Sequence, residues 1–173
     1  MFNNLSEEKK EEKFNGLINF ASKINNKSLK NACLNILNDY KEELFCKAAG
    51  HDGIEMKKYT KTHQCFDGGL LDHIYNVTKI AYDVGRNYEK QVDLDLILFG
   101  AILHDIGKTK IFDNWNEKSE IKSNLNYSYL LVDHVYIGEK IVEDYLDKEN
   151  ISEKFKYQAL HMIATHMDTM NKH

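Results

Sequence analysis

Proline is absent from all 173 residues, so no position forces a helix to kink, and long uninterrupted helices are permitted throughout. Cysteine is scarce: Cys33, Cys46 and Cys65 form an odd set with no Cys-x-x-Cys pair. That argues against a disulfide framework and reads as reduced thiols in a reducing compartment. Positive charge is not in excess, since 23 Lys and Arg against 27 Asp and Glu leave a formal net charge of −4. This is the reverse of a surface that grips long nucleic acid through many phosphates, so any basic patch must be local. No apolar run approaches the roughly 20 residues of a membrane span. The start, Met1-Phe2-Asn3-Asn4 leading into the charged run Glu7 to Lys13, has no signal-peptide core. The expected location is the cytoplasm, with neither secretion nor membrane insertion.

What is present points to a helical protein. Hydrophobic residues at 42% and charged residues at 29% suit a folded globular chain, and the length suits one domain spanning residues 1–173. Lys, Glu, Leu and Asn are plentiful, and the first three are good helix formers. Ser6 ahead of Glu7 and Glu8 predicts a helix over 6–25, carrying Phe14, Leu17, Ile18 and Ala21 at helical spacing. A second is predicted over 27–45, then a loop from His51 to Asp67 beyond the break at Gly50 and Gly53. Further helices are predicted over 69–88, 93–106, 129–146 and 152–167. The 93–106 segment is almost wholly apolar and so central, with Gly107 placed to end it. The expected fold is an all-α bundle of about six to seven helices, with N-terminal helices in 1–50 packing on a core at 63–168.

Four of these apolar helices place a histidine in or beside the core-facing surface: His73, His104, His134 and His166. His161 lies about 140° round its helix from His166 at about 100° per residue. Any one histidine on a helix is ordinarily a hydrogen-bonded core or surface residue. His104, however, is followed by Asp105 inside Ala101-Ile102-Leu103-His104-Asp105-Ile106-Gly107-Lys108. An ionised carboxylate in an apolar interior is costly unless it is paired or holds a cation, and Leu or Ala would fill the place at lower cost. Neutral imidazoles beside it complete a metal shell. A His/Asp set with few cysteines suits one or two divalent transition metals, Mn, Fe, Ni or Zn, with Mg possible. Such a metal activates water for attack on phosphorus and screens phosphoryl charge. Asp105 and Lys108 are the catalytic candidates. Lys108, three residues past Asp105, is placed to meet non-bridging phosphate oxygens. Lys57, Lys58 and Lys61 beside His63 read either as a solvated loop or as a phosphate guide, with Lys61 and His63 the substrate-binding candidates.

The elements Gly68-Gly69-Leu70-Leu71-Asp72-His73 and Leu103-His104-Asp105-Ile106-Gly107-Lys108 resemble the HD-domain metal-dependent phosphohydrolase superfamily. More narrowly, the order from Tyr40 through His63, His73, the His-Asp element and His134 to His161 and His166 resembles the HD domain of bacterial YhaM-type 3′-5′ exoribonucleases over roughly 35–168. The resemblance implies an HD-type helical fold and metal ligation by His73, His104 and Asp105. It makes His134, His161 and His166 candidates for a second metal or for substrate phosphate. Superfamily members supply a late aspartate, for which Asp168 is the nearby carboxylate here. Where the exoribonucleases have a His-His pair, this chain has His63-Gln64. They also carry an OB-type module before the HD domain, and nothing here resembles it, so long nucleic acid is not the expected substrate. The expected function is hydrolysis of a phosphate ester in a nucleotide, cyclic nucleotide or short oligonucleotide by metal-activated water. The alternatives are exoribonuclease-like action on short RNA or DNA, and a catalytically silent module that binds a nucleotide or a protein. Oligomeric state is not legible.

Overall fold

The computed structural model describes residues 4–50, 64–118 and 133–166, which are predominantly helical and hold no β-strand. In chain order the helices are α1 (Glu7–Ser22), α2 (Lys27–Asp39), α3 (Lys41–Cys46), α4 (Gly69–Gly85), α5 (Leu94–Leu103), the single turn α6 (Lys108–Ile111), α7 (His134–Leu146) and α8 (Glu153–Ala164). A 3-10 turn, Arg86–Tyr88, follows α4.

Side-chain caps set most of the starts. Ser6 accepts from the Lys9 N–H, Asn26 from Leu29, Asp93 from Asp95 and Leu96, Asp133 from Val135, and Ser152 from Phe155. Each satisfies an N–H that the helix leaves unpaired, a contribution of about 1 kcal/mol.

Beside α1 and α4, which end early at Ser22 and Gly85, two departures from expectation bear on the core and the site. The helix expected over 27–45 is two, because the backbone leaves helical geometry at Tyr40, with φ −107° and ψ 13°. The bend still lets Leu44 reach full burial, which is why apolar spacing alone reads through it. The central helix ends at Leu103 rather than 106, and Gly107 has φ −61°, so it is no left-handed stop. Its lack of a side chain serves close packing instead: a Cβ there would lie 1.9 Å from the His134 carbonyl oxygen and 2.7 Å from the Gly138 N. The turn after α5 and the first turn of α7 therefore sit backbone against backbone.

One apolar cluster joins α1, α2, α3, α4, α5, α7 and α8. At its centre is α5, apolar nearly all round, with Leu98, Phe99, Ile102 and Leu103 fully buried and with packing contacts to α1, α2, α4 and α8. Each such side chain contributes about 1.5–3 kcal/mol of burial. Among the described residues no helix is long and apolar enough to cross a membrane. The consequence for function is positional: α5 delivers His104 and Asp105 from the middle of the core, and α4, α7 and α8 surround its end.

Candidate metal centre

Asp105 is 2% exposed, in the turn beyond α5. Its Oδ2 lies 3.2 Å from His73 Nε2 and 3.4 Å from His104 Nε2. Its Oδ1 lies 3.4 Å from His134 Nε2 and 3.5 Å from His166 Nε2. The groups form two triads that share the carboxylate: His73, His104 and Asp105 on one side, and Asp105, His134 and His166 on the other. Lys108 completes the setting, with Nζ 2.8 Å from Oδ2.

The far nitrogen of each ring has an acceptor. His104 Nδ1 is 2.9 Å from the Ala101 carbonyl oxygen, and His166 Nδ1 is 2.7 Å from that of Ile163. His134 Nδ1 is 2.7 Å from Asp133 Oδ1, and His73 Nδ1 is 3.0 Å from Gln64 Oε1. A carbonyl or carboxylate can only accept, so these contacts place the proton on Nδ1 and turn the Nε2 lone pairs toward Asp105. The lone pairs then meet in pairs, His73 against His104 at 3.2 Å and His134 against His166 at 3.3 Å. Neutral rings so arranged repel, and a cation between each pair removes the conflict. Two nitrogens that close match a pair held by one ion at about 2.1 Å each. The donor set, imidazole and carboxylate without thiolate, fits Mn, Fe, Ni or Zn in one or both triads.

A proton on Nε2 can take the place of a cation. Burial pushes the Asp105 carboxyl up, but hydrogen bonds donated by His104, His134, His166 and His73 in that protonated form outweigh it and hold the group well below the ordinary carboxylate range. Burial also works against charge on His166, yet Asp105 and the Ile163 carbonyl raise its pKa overall. Protons and metal ions thus compete for the same nitrogens.

Of the residues singled out in the sequence, the structure brings His73, His104, Asp105, Lys108, His134 and His166 into one cluster. It places His161 on the exposed face of α8, outside both triads. The reason is helical phase. Ala159 and Ile163 anchor α8 in the core, His166 follows one turn after Ile163, and a residue about 140° round faces away. Lys57, Lys58, Lys61, His63 and Asp168 lie outside the described residues. Gln64 and Asp133, the side-chain partners of His73 and His134, were not picked out from sequence. Asp133 carried a signal, an N-cap residue directly before a histidine on an apolar helix. The Gln64 contact spans nine positions and a chain reversal, and its one signal was that Gln64 stands where the exoribonucleases have the second histidine of a pair.

An all-α fold with histidines from four helical segments converging on one buried aspartate defines a class of metal-dependent proteins. The chain belongs to the HD domain family, whose model matches residues 70–172. It is 38% identical over 64 residues to a 3′-5′ exoribonuclease YhaM of Bacillus licheniformis, a match covering 37% of this chain and 20% of that protein. It is 32% identical over 104 residues to a dihydroneopterin 2′,3′-cyclic phosphate phosphodiesterase of Methanocaldococcus jannaschii, covering 53% of this chain and 39% of that one. The chain thus spans well under half the length of either relative. No solved structure matches.

Proposed function

We propose that His73, His104, His134, His166 and Asp105 hold one or two divalent transition metals, and that the chain is a phosphohydrolase acting on a nucleotide, cyclic nucleotide or short oligonucleotide. The observation that carries this reading is the approach of four Nε2 atoms to the two oxygens of one buried carboxylate, with each Nδ1 matched to an acceptor. A divalent metal held there lowers the pKa of water and neutralises charge building on a phosphoryl group. The chain's own residues do the rest. Asp105, bridging both triads, sets their spacing. Lys108 sits at the edge of the cluster, its side chain 13% exposed, where its ammonium can turn from Asp105 to a non-bridging phosphate oxygen. The side chains of His73, His134 and His166 are partly exposed, which suits approach of a small ester to the centre.

The net charge of −4 favours a small substrate over a long polyanion. A 2′,3′-cyclic phosphate is the first probe, since one relative is named for a phosphodiesterase acting on that group. A short 3′-5′ exonuclease is the second reading, supported by the exoribonuclease relative. The test is hydrolysis of a 2′,3′-cyclic nucleotide, a nucleoside monophosphate and an end-labelled oligonucleotide with Mn²⁺, Fe²⁺, Ni²⁺, Zn²⁺ or Mg²⁺, beside Asp105→Ala. Turnover of a small ester that disappears in the variant supports the proposal. Stepwise shortening of the oligonucleotide alone selects the exonuclease. Metal binding with no turnover of any probe overturns both and leaves a binding module.

A further inference from the structure

Three of the four histidines have their orientation fixed close by in sequence. His104 and His166 lean on carbonyls of their own turns, and His134 on the neighbouring Asp133. His73 is held from farther away. Its Nδ1 meets Gln64 Oε1 at 3.0 Å, Gln64 Nε2 donates to Asp72 Oδ2 at 3.1 Å, and Asp72 Oδ1 is 2.9 Å from Lys13 Nζ on α1. The order of the chain gives it direction. Lys13 can only donate and ionised Asp72 can only accept, so the Gln64 amide must turn its NH₂ to Asp72 and its oxygen to His73. His73 then carries its proton on Nδ1 and points the Nε2 lone pair at His104 and Asp105.

The loop carrying Gln64 is held in place to match. Gln64 has φ +50°, a left-handed conformation that a residue with a side chain adopts only when its surroundings impose it. The surroundings do so: its carbonyl oxygen accepts from Ala49 N at 3.2 Å and Phe66 N at 3.0 Å, and a Cβ on Gly69 would lie 1.9 Å from that oxygen. A second tie runs beside it. Lys10 Nζ is 2.8 Å from Asp67 Oδ2, Leu5 N donates to the Asp67 carbonyl, and Asp67 N donates to Asn4 Oδ1. The segment from Gln64 to Asp72 is thereby tied to α1 at Asp67 and again at Asp72, by a helix that lies outside the stretch matched by the family model.

We propose that Lys13, Asp72 and Gln64 are positioning residues that fix the tautomer and aim of His73, making α1 part of the metal centre rather than a separate support. The proposal rests on the metal reading above. Its test is Zn²⁺ binding, measured by competition with a chromophoric chelator, together with imidazole ¹⁵N signals of the Zn²⁺-loaded protein and the thermal midpoint of the metal-free protein. Gln64→Leu should weaken Zn²⁺ binding about 10–100-fold and shift the His73 ring signals, leaving those of His134 and the metal-free midpoint as in wild type. Lys13→Met, remote from any ligand, should act in the same direction with smaller amplitude, and Lys13→Arg should restore binding. If Gln64→Leu does not fold, the Lys13 pair carries the test. Wild-type affinity and His73 signals in both Gln64→Leu and Lys13→Met overturn the positioning role while leaving the metal centre standing. Loss of affinity matched by an equal fall in the metal-free midpoint overturns it in favour of a structural role. A wild-type protein that binds no metal overturns both readings.

Discussion

Asp105 touches five side chains with two oxygens: His73, His104 and Lys108 through Oδ2, His134 and His166 through Oδ1. Replacing one oxygen by an amide nitrogen keeps the shape and removes both the charge and half of the ligating capacity. Asp105→Asn should therefore lose bound metal by plasma mass spectrometry and at least about 10³-fold in turnover, the several kcal/mol that a metal contributes to phosphoryl chemistry. On the proposed reading Lys108 acts at a different step. Lys108→Met should keep its metal and lose about 10²-fold in kcat, as when a preorganised donor to a charged transition state is removed. Equal metal content in wild type and variant, read beside the kinetics, separates the two roles. Loss of metal in Lys108→Met would show instead that the ammonium stabilises the empty carboxylate and not the phosphate.

At the scale of elements, what the sequence reveals and what it hides follow from range. Apolar spacing of three and four finds α1, α4, α7 and α8, and the uniformly apolar run finds α5, because those patterns are local. The same locality finds His73, His104, Asp105, His134 and His166 on core-facing surfaces, but it cannot choose between His161 and His166 until the core has chosen the face of α8. It also misses the break at Tyr40, through which the apolar spacing continues, and the partner Gln64, which depends on a contact across a chain reversal. Gly107 is legible as an oddity and illegible in purpose. The structure shows α7 docked backbone to backbone upon it, so Gly107→Ala must push α7 outward or shift the turn that carries Asp105. The expected result is a stability loss of about 1–3 kcal/mol by urea unfolding, as for overpacking, with His134 drawn out of its triad. Metal content should fall by the share belonging to that half. The tie of α1 to the Asp67 loop has its own signature. The Asp67 and Glu7 carboxylates outweigh the cost of burial and raise the Lys10 pKa above 10.5. Its contribution is thus complete below that pH and is lost as pH climbs through the higher folded value. The stabilities of wild type and Lys10→Met should converge only in strongly alkaline solution.

For the molecule as a whole, the cost of the metal centre should appear in its unfolding. Folding gathers four imidazoles and a carboxylate into a space where the rings repel unless protonated or bridged by a cation, so the empty centre works against the core packed behind it. An ion that binds only the folded chain reverses this by mass action, by about 2.7 kcal/mol at one hundred times its Kd. For a chain of 173 residues, at about 2–4 °C per kcal/mol, removing metal with a chelator should lower Tm by about 5–11 °C. Because protons compete for the same nitrogens, the gap between metal-loaded and chelated protein should narrow as pH falls through the raised pKa of His166. Differential scanning calorimetry of wild type and Asp105→Asn, each with and without Mn²⁺ or Zn²⁺, tests this directly. The variant should be indifferent to chelator at every pH, because it keeps the histidines and lacks only the carboxylate that bridges the two triads. A chelator shift of the same size in Asp105→Asn would place the stabilising ion elsewhere on the molecule and would break the link between this cluster and metal.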